Sequence, residues 1–539
     1  MSKHFAKRGG FAVAALALAV SSAVVHAGND KERVIIQFKP GSQAQVEKAV
    51  QRAGGNKHVD LSKLDAMAVS VPSAALNGLR NNPNIVLVEE DSKRYLLSSQ
   101  YEPGTPYGIT QVQADLVSDA GAGAVKVCII DSGYDLGHPD LPTNGVTGRF
   151  NSGSGNWYTD ENGHGTHVAG TIAALANGDG VVGVLPNGNV NLHIVKVFSA
   201  SGWSYSSSLI AAADECAAEG AQVINMSLGG SRANRTEERG FAQLNSAGVL
   251  SIAAAGNDGN TRHSYPASYD SVVSVAAVDS TETIAAFSQQ TDQVELAGPG
   301  VAVLSSVPRG TGEKVAVTVG SNGYDANGMD GSARTEATGG LVDCGIGDSA
   351  CSGASGAVCL IERGSISFTE KVQACEAGGG AAAIVYNNEP GPLLGTLGEY
   401  TASIPAVGVS DTDGAALMSQ LGSAATVSVV DSDWAFFDGT SMATPHVAGV
   451  AALVWSQHTS CTNDQIRAAL HASAKDLGAA GRDNAYGHGL VQTKAAVDYL
   501  TANGCGGDTG GDTGGDTGGD TGGNPGGGKG GGKGGPKKG

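Results

Sequence analysis

Five uninterrupted apolar runs, each rich in β-branched residues, most strongly constrain what this 539-residue chain can fold into. Helical segments separate the runs, at 167–176 and 206–218 among others. A strand that is apolar along its whole length is buried on both faces, as in a parallel sheet that helices cover on both sides. We therefore expect an α/β fold with a mostly parallel sheet. The runs are Val125–Ile130, Asn191–Phe198, Val223–Met226, Val249–Ala255 and Ser271–Val278.

Two stretches depart from this pattern and predict separate domains, since the chain is longer than one ordinary domain. Residues 28–97 alternate three apolar runs with two helical segments, which is typical of a small α/β unit. Residues 309–433 contain four of the eight cysteines and many glycines. We interpret 309–433 as a β-rich domain inserted into a loop of the larger fold, which then comprises 98–308 and 434–505.

The two ends of the chain have the composition of a processing segment and a linker. A basic start, an apolar stretch at 11–20 and small residues at 25–27 predict a signal peptide over 1–27. The apolar stretch is shorter than the roughly 20 residues of a spanning helix, which favours cleavage and secretion over a membrane anchor. Residues 506–539 hold four GGDT units, then glycine and lysine. They lack the apolar positions of calcium-binding repeats and indicate a flexible tail.

The charge of the chain excludes some classes of partner. The net charge is −19, and residues 98–505 alone carry −24. Such a surface repels nucleic acid and anionic lipid, so we expect neither a nucleic-acid nor a membrane partner, and we expect a monomer.

Three segments carry residues that can perform nucleophilic chemistry. Asp131 ends a buried apolar run, His164 enters a helical segment between glycines, and Ser441 stands at the N-terminus of an apolar helix. A nucleophilic serine needs a neighbouring base, and the base needs an acid that fixes its tautomer. A helix N-terminus also favours negative charge that develops beside the serine. The segments are Val127–Gly133, Asn162–Gly170 and Asp438–Gly449.

These segments closely resemble the subtilisin family of serine proteases, in which the acid, base and nucleophile follow in the same order along the chain. Residues 253–257 match a fourth family segment. The resemblance implies that Asp131 orients the base, that His164 is the general base and that Ser441 is the nucleophile. It implies that Asn257 donates its side-chain amide to the oxyanion of the reacting carbonyl. The activity expected is that of a serine endopeptidase acting on proteins and peptides.

Other interpretations of the same residues fit less well. His164 and His167 are three residues apart without the glutamate of a zinc-protease motif, and we expect His167 and His446 to be structural. The α/β-hydrolase elbow of a lipase or esterase fails because position 443 is alanine. A catalytically inactive protease fold used for binding is the alternative function, although every catalytic-type residue is present.

The resemblance also implies a substrate cleft. Ser227, Leu228 and Gly229 would pair with an extended peptide as an added strand. Together with Ala255 and Gly256 they would form the walls of the pocket for the residue before the cut. Its floor would lie near Ser264. The family often has glycine at this position, so the larger serine would make the pocket shallower. The alternative is that Ser264 is an ordinary loop residue. We expect broad specificity, with a medium or large apolar residue before the cut.

A structural calcium site is the cofactor that the resemblance implies. Oxygen ligands of the kind that Ca²⁺ prefers would come from Asp140, from the carbonyls of Leu175 and Val181, and from the side chains of Asn177 and Asp179. Position 179 is often apolar in the family, so its carbonyl is the alternative ligand, and a loop without metal is the alternative structure.

Residues 28–97 resemble the inhibitory prodomain of these proteases through Val86–Asp91, and 309–433 resemble the protease-associated domain through Leu360–Gly364 and Phe368–Val372. The chain would be an inactive precursor, and its own prodomain would be an intramolecular inhibitor. Family alignment places the self-cleavage after Leu97.

Four disulfides are expected in an exported chain. Within the insert we favour Cys344–Cys351 and Cys359–Cys375 over the two other arrangements. We expect the remaining cysteines to pair as Cys461–Cys505 and Cys128–Cys216. For the last pair, buried free thiols are the alternative.

Overall fold

The computed structural model describes residues 31–91, 93–95, 105–150 and 153–506. The predicted signal peptide, the predicted cut after Leu97 and nearly all of the glycine-rich tail lie outside the described residues. Within the described part of the chain, no helix combines the length and the apolar character needed to cross a membrane.

A seven-stranded sheet forms the centre of the molecule, and all of its strands run parallel. The strand order is β13-β12-β11-β10-β6-β8-β7. This confirms the predicted fold class. The strands are β6 (Lys126–Asp131), β7 (Val146–Phe150), β8 (Asn191–Lys196), β10 (Val223–Met226), β11 (Leu250–Ala254), β12 (Val272–Val278) and β13 (Val294–Pro299).

The apolar runs are continuous because both faces of this sheet are covered. In β6, Val127 and Ile129 belong to one buried cluster, whereas Cys128 and Ile130 belong to the cluster on the opposite face. Successive side chains of a strand point to opposite faces, so each run supplies two cores at once.

Helices cover the two faces. The helix that carries His164 begins at that residue and ends at Ala173, whereas the sequence predicted 167–176. The helices are α3 (Tyr107–Gln111), α4 (His164–Ala173), α5 (Ser206–Ala218), α6 (Arg235–Ser246), α9 (Thr440–Gln457), α10 (Asn463–Ser473) and α11 (Thr493–Asn503).

The N-terminal unit is a four-stranded antiparallel sheet with two helices on one face, in the order β2-β3-β1-β4. The sequence predicted only three strands, because the polar strand β2 has one buried residue and lacks the apolar signal. Its elements are β1 (Lys31–Phe38), α1 (Gln43–Arg52), β2 (Asn56–Leu61), β3 (Ala66–Pro72), α2 (Leu76–Arg80) and β4 (Ile85–Glu90). A short strand, β5 (Lys93–Tyr95), pairs with β9 (Trp203–Tyr205).

The insert has its own eight-stranded sheet, in the order β16-β15-β22-β18-β19-β20-β21-β17. Where the chain leaves and re-enters the larger fold, β14 (Val303–Ser306) and β23 (Trp434–Phe437) form an antiparallel ribbon. The elements of the insert are β15 (Gly312–Val319), β16 (Asn322–Tyr324), β17 (Ala326–Gly328), β18 (Glu336–Asp343), β19 (Val358–Glu362), α7 (Phe368–Ala377), β20 (Ala382–Tyr386), β21 (Ala406–Val409), α8 (Asp411–Met418) and β22 (Ala424–Ser432).

All four predicted disulfides are confirmed. Two lie within the insert, one joins β6 to α5, and one closes the C-terminal helices. The pairs are Cys344–Cys351, Cys359–Cys375, Cys128–Cys216 and Cys461–Cys505.

A buried ion cluster attaches α10 to the sheet. Glu295 of β13 is 6% exposed and accepts hydrogen bonds from Arg467 and His471, which lie one turn apart on α10. Burial by itself would raise the pKa of Glu295, but His471 and Arg467 outweigh it, and the pKa lies below its usual value. The carboxylate therefore stays ionised and holds the helix in place.

We predict that Glu295→Gln destabilises the fold by about 3 kcal/mol, because the largely buried Arg467 guanidinium then faces a neutral amide. A carboxyl with a lowered native pKa stabilises above its unfolded pKa, and this contribution is lost as the pH falls through the native value. The difference between wild type and variant in chemical denaturation should therefore shrink at acidic pH. Asp498→Asn, in an exposed pair with Lys494, should change little. An equal loss in both variants would contradict the prediction.

Candidate active site

The structure brings Asp131 and His164 together in a buried pair. Asp131 is the last residue of β6, and His164 is the first residue of α4. His164 Nδ1 lies 2.9 Å and 3.0 Å from the two carboxylate oxygens of Asp131, and the two residues are 2% and 0% exposed. A Cβ at position 165 would collide with the carbonyl oxygen of Gly133, so the glycine after His164 permits this approach. With Nδ1 on the carboxylate, Nε2 is the nitrogen left for proton transfer.

Asp160 fixes the segments that carry this pair, and the sequence analysis missed it. Its Oδ2 accepts from the backbone N and the hydroxyl of Thr166, in the first turn of α4, at 2.9 Å and 2.7 Å. Its Oδ1 accepts from Gly163 N at 2.9 Å and from Ser132 Oγ at 2.8 Å. Asp160 thus joins the end of β6 to the start of α4. A carboxylate four residues before a helical histidine is the only local signal that could have indicated it.

Ser441 lies at the second position of α9, behind Gly439, whose φ of 147° an L side chain rarely adopts. Its Oγ donates to the carbonyl oxygen of Ser227 at 3.0 Å, and Ser227 Oγ donates to the Ser441 carbonyl at 2.7 Å. His164 Nε2 is buried and has no hydrogen-bond partner among the described residues. Ser441 and His164 therefore do not hydrogen-bond to each other in this structure, and hydrogen bonds between catalytic residues commonly tighten only when substrate binds.

Asn257 is held by the helix that carries Ser441. Its Oδ1 accepts from Thr440 N at 3.0 Å and from Thr440 Oγ1 at 2.5 Å. Thr440 Oγ1 also accepts from Gly256 N at 3.2 Å. Because the oxygen end of the amide is fixed on Thr440, the NH₂ end remains available as a donor. Thr440 is a positioning residue that the sequence analysis did not identify.

A cleft of about 840 Å³ borders Ser441. Of the six predicted cleft residues, Leu228, Gly229, Gly256 and Ser264 line it. Ser227 and Ala255 lie behind it, with 0% and 3% of their surface exposed. The cleft is also lined by Asn257, Asp258, Arg232, Arg262, His263 and Gln289, and by the N-terminal residues Lys31, Glu32, Arg33, Val34, Arg80 and Asp91.

Comparison with known proteins agrees with this geometry. A model of the subtilase family matches residues 122–333 and 399–489, and a model of the PA domain matches residues 311–417. The chain belongs to the subtilase family. It is a serine endopeptidase with a subtilisin-like fold and an inserted protease-associated domain.

Individual relatives match large parts of this subtilase. Subtilisin E of Bacillus subtilis (strain 168) is 35% identical over 291 residues, which are 52% of this chain and 74% of that protein. Subtilisin DY of Bacillus licheniformis is 44% identical over 213 residues, or 38% and 76% of the two chains. The crystal structure of a psychrophilic subtilisin-like protease from Pseudoalteromonas sp. AS-11 is 48% identical, with a TM-score of 0.60, and the match covers 75% of this chain and 99% of that one.

The two other motif histidines are structural in their contacts. His167 lies in α4, where Nε2 contacts the carbonyls of Val303 and Ala435 at 2.9 Å and 3.1 Å, and burial lowers its pKa to about 3. His446 donates from Nδ1 to Met442 O at 2.8 Å, and burial lowers its pKa to about 4. Both imidazoles are therefore neutral at pH 7.

The predicted calcium ligands of this subtilase lie around one loop. Asp140 is fully buried, and its Oδ2 accepts from Val181 N at 2.9 Å and from Trp434 Nε1 at 2.8 Å. Asp140 Oδ1 has no hydrogen-bond partner among the described residues, and burial raises the pKa of the carboxyl to about 6. Asn177 Oδ1 accepts from Asp179 N at 2.8 Å, which curves the loop between Leu175 and Val181. A buried carboxylate oxygen without a donor fits a cation beside it.

We predict that Thr440→Val lowers kcat about tenfold with little change in KM, because the amide of Asn257 then loses one of its two anchors. In an Asn257→Ala background the same substitution should have little further effect, since the amide it positions is gone. Steady-state kinetics on one peptide substrate would measure both effects. Thr338→Val, at an exposed site of the insert, is the matched control. Equal effects of Thr440→Val in the two backgrounds would refute the positioning role.

Proposed function

We propose that this subtilase is a secreted endopeptidase of broad specificity, made as a precursor that processes itself. In this proposal residues 1–27 direct export and 28–97 form the prodomain. The catalytic domain comprises 98–308 and 434–505, with the protease-associated insert at 309–433. The observation that carries the proposal is the way the N-terminal unit sits at the candidate active site, where it shares the lining of the cleft with Ser441.

The chemistry follows from the roles proposed for four side chains. Ser441 Oγ turns from Ser227 O, transfers its proton to His164 Nε2 and attacks the carbonyl carbon of the substrate. Asp131 stabilises the imidazolium that forms. The amide of Asn257 donates to the oxyanion, and the loss of one such donor costs about 10²–10³ in rate. His164 then protonates the leaving amine, and water hydrolyses the acyl-enzyme by the same steps in reverse.

Two carboxylates of the N-terminal unit cap helices of the catalytic domain. Glu89 accepts from the backbone N–H groups of Arg235 and Thr236, at the start of α6, at 2.8 Å and 2.9 Å. Asp91 accepts from Ser207 N, at the start of α5, at 2.7 Å. Thr236 N also donates to Oδ1 of Asn234, the N-cap residue of α6, at 3.0 Å, so Glu89 adds to an existing cap. Both carboxylates interact favourably with the dipoles of the helices whose first turns they contact.

The sheet of the N-terminal unit also buries one face against the same helices. Ile35 and Leu64 share an apolar cluster with Ile210 of α5 and Phe241 of α6. Beyond Asp91, the backbone of β5 pairs antiparallel with β9 of the catalytic domain. Extended peptides commonly bind in this way, as a strand added alongside backbone of the protein that binds them. The chain therefore approaches the cleft in the manner of a substrate, which supports self-cleavage and inhibition by the product.

Processing tests the proposal directly. We predict that the Ser441→Ala precursor keeps residues 28–97, whereas the wild type releases a chain that begins at Ser98. N-terminal sequencing and intact mass would identify both ends. Ser349→Ala, on an exposed loop of the insert, should process like the wild type. A fully active enzyme that begins near Gly28 would overturn the prodomain assignment, while a start one or two residues from Ser98 would only move the cut.

Residues 140 and 175–181 are proposed to hold a structural Ca²⁺, which would supply positive charge for the buried Asp140 carboxylate. Binding to the folded state alone stabilises by mass action, by about 2.7 kcal/mol at a hundredfold excess over Kd. We therefore predict that a chelator lowers the Tm of the wild type and has a smaller effect on Asp140→Asn. Asp348→Asn, at an exposed position, should keep the full effect. An unchanged wild-type Tm in excess chelator would contradict the proposed calcium site.

Broad specificity follows from a cleft that binds the substrate mainly through its backbone. Backbone hydrogen bonds carry no sequence information, and an apolar pocket separates side chains by only about 1–3 kcal/mol per methylene. Ser264 narrows the pocket, since its Oγ lies 2.5 Å from the place of a Cβ on Gly229. We predict cleavage after medium-sized and large apolar residues. In Ser264→Gly, kcat/KM should rise most for substrates with the largest of these residues before the cut. Profiling on a peptide library would measure this, and a strict requirement for Arg or Lys would contradict it.

A further inference from the structure

Two polar side chains with little exposed surface border the cleft beside Gly229 and Gly256. Gln289 is 3% exposed and Ser264 is 6% exposed, and both line the same cavity as Ser441. The polar atoms of these two side chains lie next to Gly229 and Gly256, one glycine in each wall of the pocket. A Cβ on Gly229 would stand 2.5 Å from Ser264 Oγ, and a Cβ on Gly256 would collide with Gln289 Oε1. The substrate side chain that enters between these walls therefore meets a hydroxyl and an amide oxygen at its end.

The orientation of the Gln289 amide is fixed by its own contacts. Its backbone N donates to Gly256 O at 3.0 Å, and its side-chain Nε2 donates to the carbonyl oxygen of Arg262. These bonds turn Oε1 toward Gly256 and the cavity. Among the described residues, no group donates a hydrogen bond to Oε1. Oε1 is not fully buried and borders the cavity, where substrate or water can supply a donor, so Gln289 presents an acceptor to the substrate.

The cost of desolvating a charge selects among possible donors. Arg232 and Arg262 line the cavity together with Glu32, Asp91 and Asp258, so a cationic side chain meets charges of both signs and would give up its hydration for two neutral partners. A carboxylate has no proton to give to Gln289 Oε1 and would lose hydration there. An uncharged side chain with an N–H or O–H group at its tip satisfies the acceptor without either cost.

We propose that Gln289 and Ser264 make this pocket selective for an uncharged, hydrogen-bonding residue before the cut, with glutamine the best fit among residues of medium size. The substrate amide would donate to Gln289 Oε1, and its oxygen would accept from Ser264 Oγ. Methionine has nearly the same size and shape without these groups. The inference rests on the proposed peptide-bond hydrolysis, and apolar residues remain substrates.

The test uses the processed enzyme and two peptides that differ only in Gln or Met before the cut. One net hydrogen bond is worth roughly 0.5–1.5 kcal/mol, so kcat/KM should favour the Gln peptide by about threefold to tenfold. Gln289→Met and Ser264→Ala each remove one of the two proposed bonds, so each should reduce the preference for the Gln peptide. Gln373→Met, on an exposed face of α7, should keep the wild-type ratio.

A second substitution keeps the inference testable if Gln289→Met fails to fold. Gln289→Glu preserves the size of the side chain and places a carboxylate in the pocket, so cleavage after Lys should rise relative to cleavage after Gln. Labelling of Ser441 by a fluorophosphonate would verify that each variant is folded and active. A wild-type ratio of one or less, or a ratio unchanged in Gln289→Met, would overturn the inference. A wild-type enzyme that cleaves neither peptide would instead refute the proposed function.

Discussion

The geometry of the site depends on the ribbon at the base of the insert. β14 and β23 pair from Val303–Phe437 to Ser306–Trp434, so the chain leaves the catalytic domain and returns to the same place. His167 contacts the backbone of both strands and stacks on the ring of Phe437 at 4.2 Å between centroids. His167 lies one turn after His164, so the ribbon is fixed against the helix that carries both histidines. This arrangement lets residues separated by more than a hundred positions meet, and it leaves the insert free to form its own sheet and disulfides.

Several helices around the cleft make important contacts through their N-termini. Asp160 accepts from the first turn of α4, Glu89 from α6 and Asp91 from α5, while α9 begins at Thr440, next to Ser441. Each terminus presents N–H groups that its own helix cannot satisfy, together with the positive end of a dipole. The same physical feature therefore positions His164, attaches the N-terminal unit and favours negative charge beside Ser441.

Much of the fold could be predicted because its signals are local. Both faces of β6 are buried, so the strand needs apolar residues at successive positions. This pattern can be recognised in the sequence alone. Strands with mixed burial gave no such signal, so β2 was missed. The helix of His164 was placed three residues too late because His164-Gly165-Thr166 has little intrinsic helix preference. That turn is helical because Asp160 caps it, and the cap comes from a loop.

The sequence by itself determined the α/β architecture, the order of the three motifs and the family, since these depend on residue type and spacing along the chain. It also separated the four cysteines of the insert from the other four, because the two groups lie in different segments of the chain, and it favoured the pairs that the structure contains. Only the tertiary structure decided that Ser441 Oγ rests on Ser227 O, that Thr440 fixes Asn257, and that the acceptor of Gln289 borders the pocket. Each of these contacts joins residues from different elements. Their identity depends on where the folded backbone brings side chains together, and no local pattern encodes such a position.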